Sequence, residues 1–189
     1  MSASKRDELV QRAFKIFHEN GFHATGMDRL VQETGISKTA MYRHFRTKED
    51  LMLAVLNLRD AQFRNWLTQR IEELSHTPEG QLLALFDVLG EWFEREDFKG
   101  CMFIKASAEF QEDNHPLKIA SARHKRLLLV YFSNIAARTT AQHPGLLARQ
   151  LLMLKEGAIV TAHLQGIEGV AAEARKAAEV LVHAALAPE

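Results

Sequence analysis

Apolar residues recur every three or four positions along most of the chain, and strand-like alternation is absent. This spacing predicts amphipathic α-helices. Breaks fall at the turn-forming clusters "REDFKG", "DNHP", "HPG" and "GIEG". The pattern therefore predicts an all-α fold of about nine helices, the last five of which are expected at 79–95, 102–113, 116–139, 146–165 and 169–186.

Capping signals mark where the first four helices begin. The predicted starts are Ser4 with Asp7, Thr25 with Asp28, Ser37, and Thr47 with Asp50. Gly21 and Gly35 end the first and second helices, and Phe22 is expected to fold back on the first. The fourth helix is long and runs to about residue 75, before Thr77-Pro78 breaks it. The second and third helices are short and joined by a tight turn, which is the helix-turn-helix arrangement.

A helical wheel with 100° per residue divides the third helix into two faces. Ile36, Ser37, Ala40, Met41 and Phe45 fall on the inward face. The outward face carries Lys38, Thr39, Tyr42, Arg43 and Arg46, with His44 on the boundary. These side chains can donate to phosphates and base edges. The alternative is an ordinary solvated surface, but the short helix and the capped helix after it, whose first amides and Lys48 suit a phosphate, favour DNA binding.

The stretch "FHENGFHATGMDRLVQETGISKTAMYRHFRTKEDLMLAVL" resembles the DNA-binding domain of the tetracycline repressor (TetR) family. The resemblance covers about residues 9–56 without gaps. It rests on Gly21, Phe22, Thr25, Leu30, Val31, Gly35, Ile36, Ser37, Tyr42, Phe45, Lys48 and Leu51. The chain departs from the family at Gly26, where a second hydroxyl residue is usual, and at Val31, where a small alanine is common.

The resemblance implies a homodimeric transcriptional regulator, usually a repressor, that binds a palindromic operator and is released by a small molecule. It implies a helix-turn-helix domain at 1–46 and a helical regulatory and dimerisation domain at 47–189, with 47–75 as the linking helix. By position, the DNA-binding residues are Thr25, Ser37, Lys38, Thr39, Tyr42, Arg43, His44 and Lys48. Of these, Thr25, Tyr42 and Lys48 are expected at phosphates. A plain helix cap is the alternative for Thr25, and packing against the helix-turn-helix core is the alternative for Tyr42.

Aromatic residues concentrate between positions 82 and 132, and polar residues interrupt the apolar pattern near 160. In a family that binds ligands between helices, this favours a mainly apolar effector. The predicted ligand-binding residues are Trp92, Phe93, Phe103, Phe110, Tyr131, Glu156 and His163. The alternatives are core packing for the aromatic residues and a polar seam in a dimer interface for Glu156 and His163.

Two stripes of small and apolar residues in the last two helices predict a homodimer through residues 146–186. The first stripe is Leu147, Leu151, Leu154, Ala158 and Ala162, and the second is Val170, Ala174, Ala177, Ala178, Leu181 and Ala185. Packing within one chain would use such stripes equally well.

The composition restricts the class of protein. Charges balance at 24 Lys and Arg against 24 Asp and Glu, and 47% of the residues are hydrophobic, as in globular proteins. No apolar run is long enough for a membrane span, and the N-terminus lacks the apolar segment of a secretory signal. The single cysteine, Cys101, fits a reducing cytoplasm and is interpreted as a plain structural residue, with a redox sensor as the alternative.

Catalytic and metal-binding spacings are absent from the sequence, so no enzyme activity, cofactor or metal is expected. Two alternatives to the effector-controlled repressor remain open. One is a helix-turn-helix regulator without a small-molecule effector, and the other is an all-helical enzyme or interaction module.

Overall fold

The computed structural model describes residues 4–187, which form nine α-helices and no strand. The helices are α1 Lys5–Asn20, α2 Met27–Thr34, α3 Lys38–His44, α4 Lys48–Leu74, α5 Pro78–Phe93, α6 Met102–Glu109, α7 Pro116–Ala136, α8 Pro144–Gln165 and α9 Val170–Leu186. The predicted all-α fold is confirmed. Helices α6 and α7 end a few residues earlier than predicted. Across the described part of the chain, none of the helices has both the length and the apolar character needed to cross a bilayer.

The chain forms two compact units. The first contains the chain up to Phe63 together with Met102–His124, and the second contains Arg64–Cys101 together with the chain from Lys125 onward. Helix α6, which the sequence places in the regulatory domain, therefore belongs to the same compact unit as the helix-turn-helix. The division differs from the predicted boundary at residues 46 and 47, which rests on function and remains a prediction.

The first unit buries one side of each of its short helices. The buried side chains at the helix-turn-helix are Leu9, Ala13 and Phe17 of α1, Leu30 of α2, Met41 of α3, and Phe45, which follows α3. The Phe22 ring stacks on Phe17 at 5.3 Å between ring centroids, so the chain folds back on α1 as predicted. This burial supplies the stability that helices of seven and eight residues lack on their own.

Local hydrogen bonds confirm three of the four predicted helix starts. The Ser4 hydroxyl accepts the Asp7 amide proton, and the Ser37 hydroxyl accepts that of Ala40. Thr47 and Asp50 form a reciprocal capping box, with distances of 3.0 and 3.1 Å. The predicted cap at Thr25 is wrong, because Gly26 is the N-cap of α2 and the buried Thr25 hydroxyl donates to the Gly21 carbonyl at 2.7 Å.

The second unit is held together by α9, which packs against α5 and α8. Helices α5 and α9 approach each other closely and need small residues at the contact. A Cβ added at Gly90 of α5 would lie 3.3 Å from Ala171 of α9. Much of the two stripes predicted for a dimer is buried inside this unit, namely Leu147, Leu151, Ala158, Ala162, Ala174 and Ala178. Those six residues serve packing within the chain, so a second copy would have to contact other positions of α8 and α9.

Candidate nucleic-acid interface

The turn between α2 and α3 is fixed by Gly35 and by side-chain hydrogen bonds. Gly35 adopts φ 68° and ψ 11°, a left-handed conformation that glycine takes without a steric cost. The Thr34 hydroxyl donates to the Leu30 carbonyl and accepts the Ile36 amide proton. The Arg12 guanidinium of α1 donates to the Thr34 carbonyl at 2.6 Å. These contacts fix the direction in which α3 leaves the turn.

Helix α3 presents the face predicted from the helical wheel. Met41 and Phe45 are 2% and 6% exposed, and so lie on the inward side. All of the predicted outward residues are exposed, namely Lys38, Thr39, Tyr42, Arg43, His44 and Arg46. Tyr42 is 45% exposed and so is not part of the helix-turn-helix core. One short helix therefore offers two permanent cations, two hydroxyl groups and an imidazole to a partner, and Arg46 adds a third cation just after it.

The charges on this face are solvated and only weakly paired. The Lys38 ammonium lies 3.8 Å from the Asp28 carboxylate, and both side chains are largely exposed. Such a surface pair stabilises the fold by less than about 1 kcal/mol. The cations of α3 are thus available to an anionic partner at little cost to stability.

Two residues predicted at phosphates, Thr25 and Lys48, bond within the chain to the loop before α2. The Lys48 ammonium donates to the carbonyls of Phe22 and Thr25 at 3.1 and 2.9 Å. The Thr25 side chain is fully buried. Ser37 differs from these two, because its hydroxyl accepts from Ala40 yet keeps its own proton for a further bond.

Comparison with known proteins agrees with this geometry. The family model described as "Bacterial regulatory proteins, tetR family" matches residues 9–55. The chain is 28% identical to SCO4454, a TetR-family transcriptional regulator from Streptomyces coelicolor. The crystal structure of that protein matches with a TM-score of 0.89 over 96% of this chain and 90% of that one. The chain belongs to the TetR family.

Two curated relatives extend the likeness of this TetR-family chain. The HTH-type transcriptional regulator YjdC of Escherichia coli is 21% identical over 82% of the chain and 81% of that protein. The HTH-type transcriptional repressor KstR2 of Mycolicibacterium smegmatis is 35% identical over 49% of the chain and 43% of that protein. The chain is accordingly a DNA-binding transcriptional regulator, and α3 lies within the segment that the family model matches.

The aromatic residues predicted to bind an effector fall into separate groups. In the first unit, Phe103 stacks on His124 at 3.7 Å and Phe110 stacks on His23 and His115, both at 4.5 Å. In the second unit, Phe98 contacts both Trp92 and Phe93, and Tyr131 packs against Phe132. Sequence reasoning missed Phe98 as the centre of the second group and His124 as a buried partner.

Glu156, also predicted at the ligand, lies in a compact charged cluster. Its two carboxylate oxygens accept from Lys125 at 2.6 Å and from Lys155 at 2.8 Å. Lys125 also lies 3.4 Å from the sulfur of Cys101. His163 sits seven residues further along α8, where its ring packs against Gly100 and lies edge-on to Phe98. Both predicted residues thus face the segment around Cys101, and Glu156 is fully engaged there.

Burial and charge shift the pKa values in this cluster. Burial lowers the pKa of Lys155, which is 1% exposed, and repulsion from Lys125 lowers it further. Burial raises the pKa of Glu156, but the two lysines outweigh that effect and hold it below its ordinary value of 4.5. The pKa of Lys125 is also lowered by burial, yet the nearby Cys101 and Glu156 raise it overall. Glu156 therefore compensates the buried Lys155 and the partly buried Lys125.

We predict that Glu156→Gln lowers the free energy of unfolding by roughly 3 kcal/mol, because it leaves two lysines without their counter-charge. Lys155→Met, which is similar in length, should be neutral or stabilising, since Lys125 still pairs with Glu156. Denaturant unfolding at pH 7 measures both changes. A loss of stability in Lys155→Met as large as that in Glu156→Gln would contradict this account of the cluster.

The dependence of stability on pH gives a second test of Glu156. Because the pKa of Glu156 is lower in the folded state, its stabilising effect is present above pH 4.5 and is lost as the pH falls through the folded value. Stability of the wild type should therefore fall more steeply below pH 4.5 than that of Glu156→Gln.

Proposed function

We propose that this regulator is a repressor that binds a palindromic operator as a homodimer and releases it when a small, mainly apolar effector binds. The proposal rests on one observation about α3. One face of the helix is buried in the core, and the opposite face, which carries the cations and hydroxyl groups, is exposed. A helix of this kind fits the major groove, where its side chains reach base edges. KstR2, a relative named as a repressor, supports the direction of regulation.

The residues at α3 are assigned to base edges or to phosphates by their position on the helix and by their chemistry. Arg43 has a planar guanidinium suited to the two acceptors of a guanine, and Lys38 and Thr39 lie at the start of the helix, where bases or nearby phosphates are in reach. Tyr42 and Ser37 supply hydroxyl donors for phosphates, and His44 adds a further donor. We place Thr25 and Lys48 in an indirect role, through the loop whose carbonyl groups they engage.

The proposed dimer uses the face of α8 that the chain leaves uncovered. Its exposed apolar residues are Leu146, Met153, Val160 and Leu164, and Met153 is 66% exposed. The first three of these are seven residues apart, so they form one stripe along the helix. A second copy that covers the stripe would remove this apolar surface from water and hold two recognition helices at a fixed spacing.

The proposed effector site lies in the regulatory segment, where the aromatic side chains of α5 and the segment after it gather around Phe98. Helix α4 supports coupling to DNA, because it runs without a break from Lys48 to Leu74. An effector that repacks the far end of α4 would alter the direction of its near end. Such coupling needs about 1–3 kcal/mol to weaken DNA binding roughly 5- to 150-fold.

For DNA recognition, we predict that Arg43→Ala weakens binding to an operator selected from random DNA by roughly 1–3 kcal/mol and relaxes the base preference at one position. The fold should be unaffected, because Arg43 is exposed. Fluorescence anisotropy with labelled duplexes measures the affinity. Arg126→Ala, an exposed arginine of α7, is the control and should bind as wild type. Equal affinity of Arg43→Ala and wild type would show that the docking face is wrong.

For assembly, we predict that the wild type is a dimer at micromolar protein concentration and that Met153→Arg is a monomer. The substitution places a charge in the stripe that the partner covers. Val130→Arg adds the same charge at another exposed apolar position, on α7, and should leave the dimer intact. Sedimentation velocity distinguishes the two states. A monomeric wild type, or a Met153→Arg variant that remains a dimer, would refute the assignment.

For effector control, we predict that a thermal-shift screen finds apolar aromatic compounds that raise the melting temperature, since binding to the native state stabilises it. A true effector should weaken operator binding, and operator DNA should weaken effector binding by the same factor. A regulator without an effector would give no such compound, and a compound that binds but leaves operator affinity unchanged would also contradict the proposal.

A further inference from the structure

The carboxylate at the end of α6 is bonded to the loop that leads into the helix-turn-helix. One oxygen of Glu109 accepts the Phe22 amide proton at 3.1 Å, and the other accepts that of His23 at 2.6 Å. The His23 imidazole Nε2 donates to the Glu109 backbone carbonyl at 3.0 Å. Two successive amides therefore share one side chain that is 86 and 87 residues away in sequence.

We propose that Glu109 is a positioning residue for DNA binding, because it holds loop 21–26, which connects α1 to α2, in the conformation that aims α2 and α3. Both the amide and the carbonyl groups of the loop backbone are hydrogen-bonded to charged side chains. The Phe22 amide donates to Glu109, while the Phe22 carbonyl accepts from Lys48 of α4. An anion and a cation from two different helices thus fix the peptide groups on either side of one residue.

Aromatic stacking reinforces this contact from the residue that follows Glu109. The Phe110 ring stacks on His23 at 4.5 Å and lies edge-on to Phe22 at 6.3 Å. A Cβ added at Gly21 would lie 3.2 Å from the Glu109 carboxylate, so the loop backbone approaches this side chain closely. The contact is therefore built from three consecutive loop residues, the last residue of α6 and the residue that follows it.

The position of Glu109 within α6 is unfavourable unless the loop compensates it. A negative side chain in the last turn of a helix is repelled by the helix dipole. The two amide protons of the loop supply the charge-assisted bonds that offset this repulsion. The His23 contacts lie near the surface, so the arrangement fixes geometry more than it adds to the core.

The sign of the effect on DNA binding separates positioning from simple charge. If Glu109 were only a negative charge near the DNA-binding helices, its removal would strengthen binding to every sequence. If Glu109 positions α2 and α3, its removal weakens specific binding, while non-specific binding, which depends on the cations alone, changes little.

The test compares Glu109→Gln with Glu112→Gln, which removes the same charge three residues later from an exposed side chain. Glu109→Gln replaces one acceptor oxygen by an NH₂ group that cannot accept an amide proton. We expect it to weaken binding to a selected operator roughly 10-fold, equivalent to about 1.4 kcal/mol, with binding to random duplex DNA within about twofold of wild type. Glu112→Gln should bind both DNAs as wild type.

Amide hydrogen exchange reads the contact directly in the full-length protein. The Phe22 and His23 amides should be protected in wild type and in Glu112→Gln, and should exchange faster in Glu109→Gln. The proposal is overturned if Glu109→Gln binds the operator as tightly as wild type, or if it binds all DNA more tightly. It is also overturned if the two amides are unprotected in the wild type, a result that does not depend on whether the variant folds.

Discussion

A seven-residue helix does not persist in water alone, because the cost of nucleation is not recovered below roughly 12–15 residues. Helix α3 is of this length and α2 is one residue longer, so both depend on the side chains they bury. Leu30, Met41 and Phe45 are those side chains. This requirement commits one face of α3 to the interior and leaves the other, with its cations and hydroxyl groups, exposed. The face that contributes least to stability is the face that we propose for DNA binding.

The direction of α2 and α3 depends on loop 21–26, in which only Phe22 and Thr25 are buried. Charged side chains supply what the loop lacks, since Lys48 engages its carbonyl groups and Glu109 its amides. Helix α6 thereby becomes part of the same compact unit as α1, α2 and α3. The covalent order of the chain, with 57 residues between α3 and α6, gives no hint of this arrangement.

Local signals in the sequence predicted most of the fold, but they carry no information about contacts between residues far apart in the chain. The caps at Ser4, Ser37 and Thr47 were predicted correctly because each bond spans three residues. The cap at Thr25 was wrong because its hydroxyl bonds backward to Gly21. Apolar periodicity located α8 and α9 but did not distinguish a face buried within the chain from one left for a partner. The pairing of Glu156 with Lys125 and of Glu109 with loop 21–26 joins residues far apart in sequence, where no periodic pattern exists.

Selection of binding sites from random duplex DNA tests the exposed face of α3 and the fixed spacing of two copies in one measurement. We expect enrichment of palindromes whose half-sites are centred about 10–10.5 base pairs apart, or a small multiple of that distance. Enrichment of a single asymmetric half-site, or the absence of any enriched sequence, would contradict it.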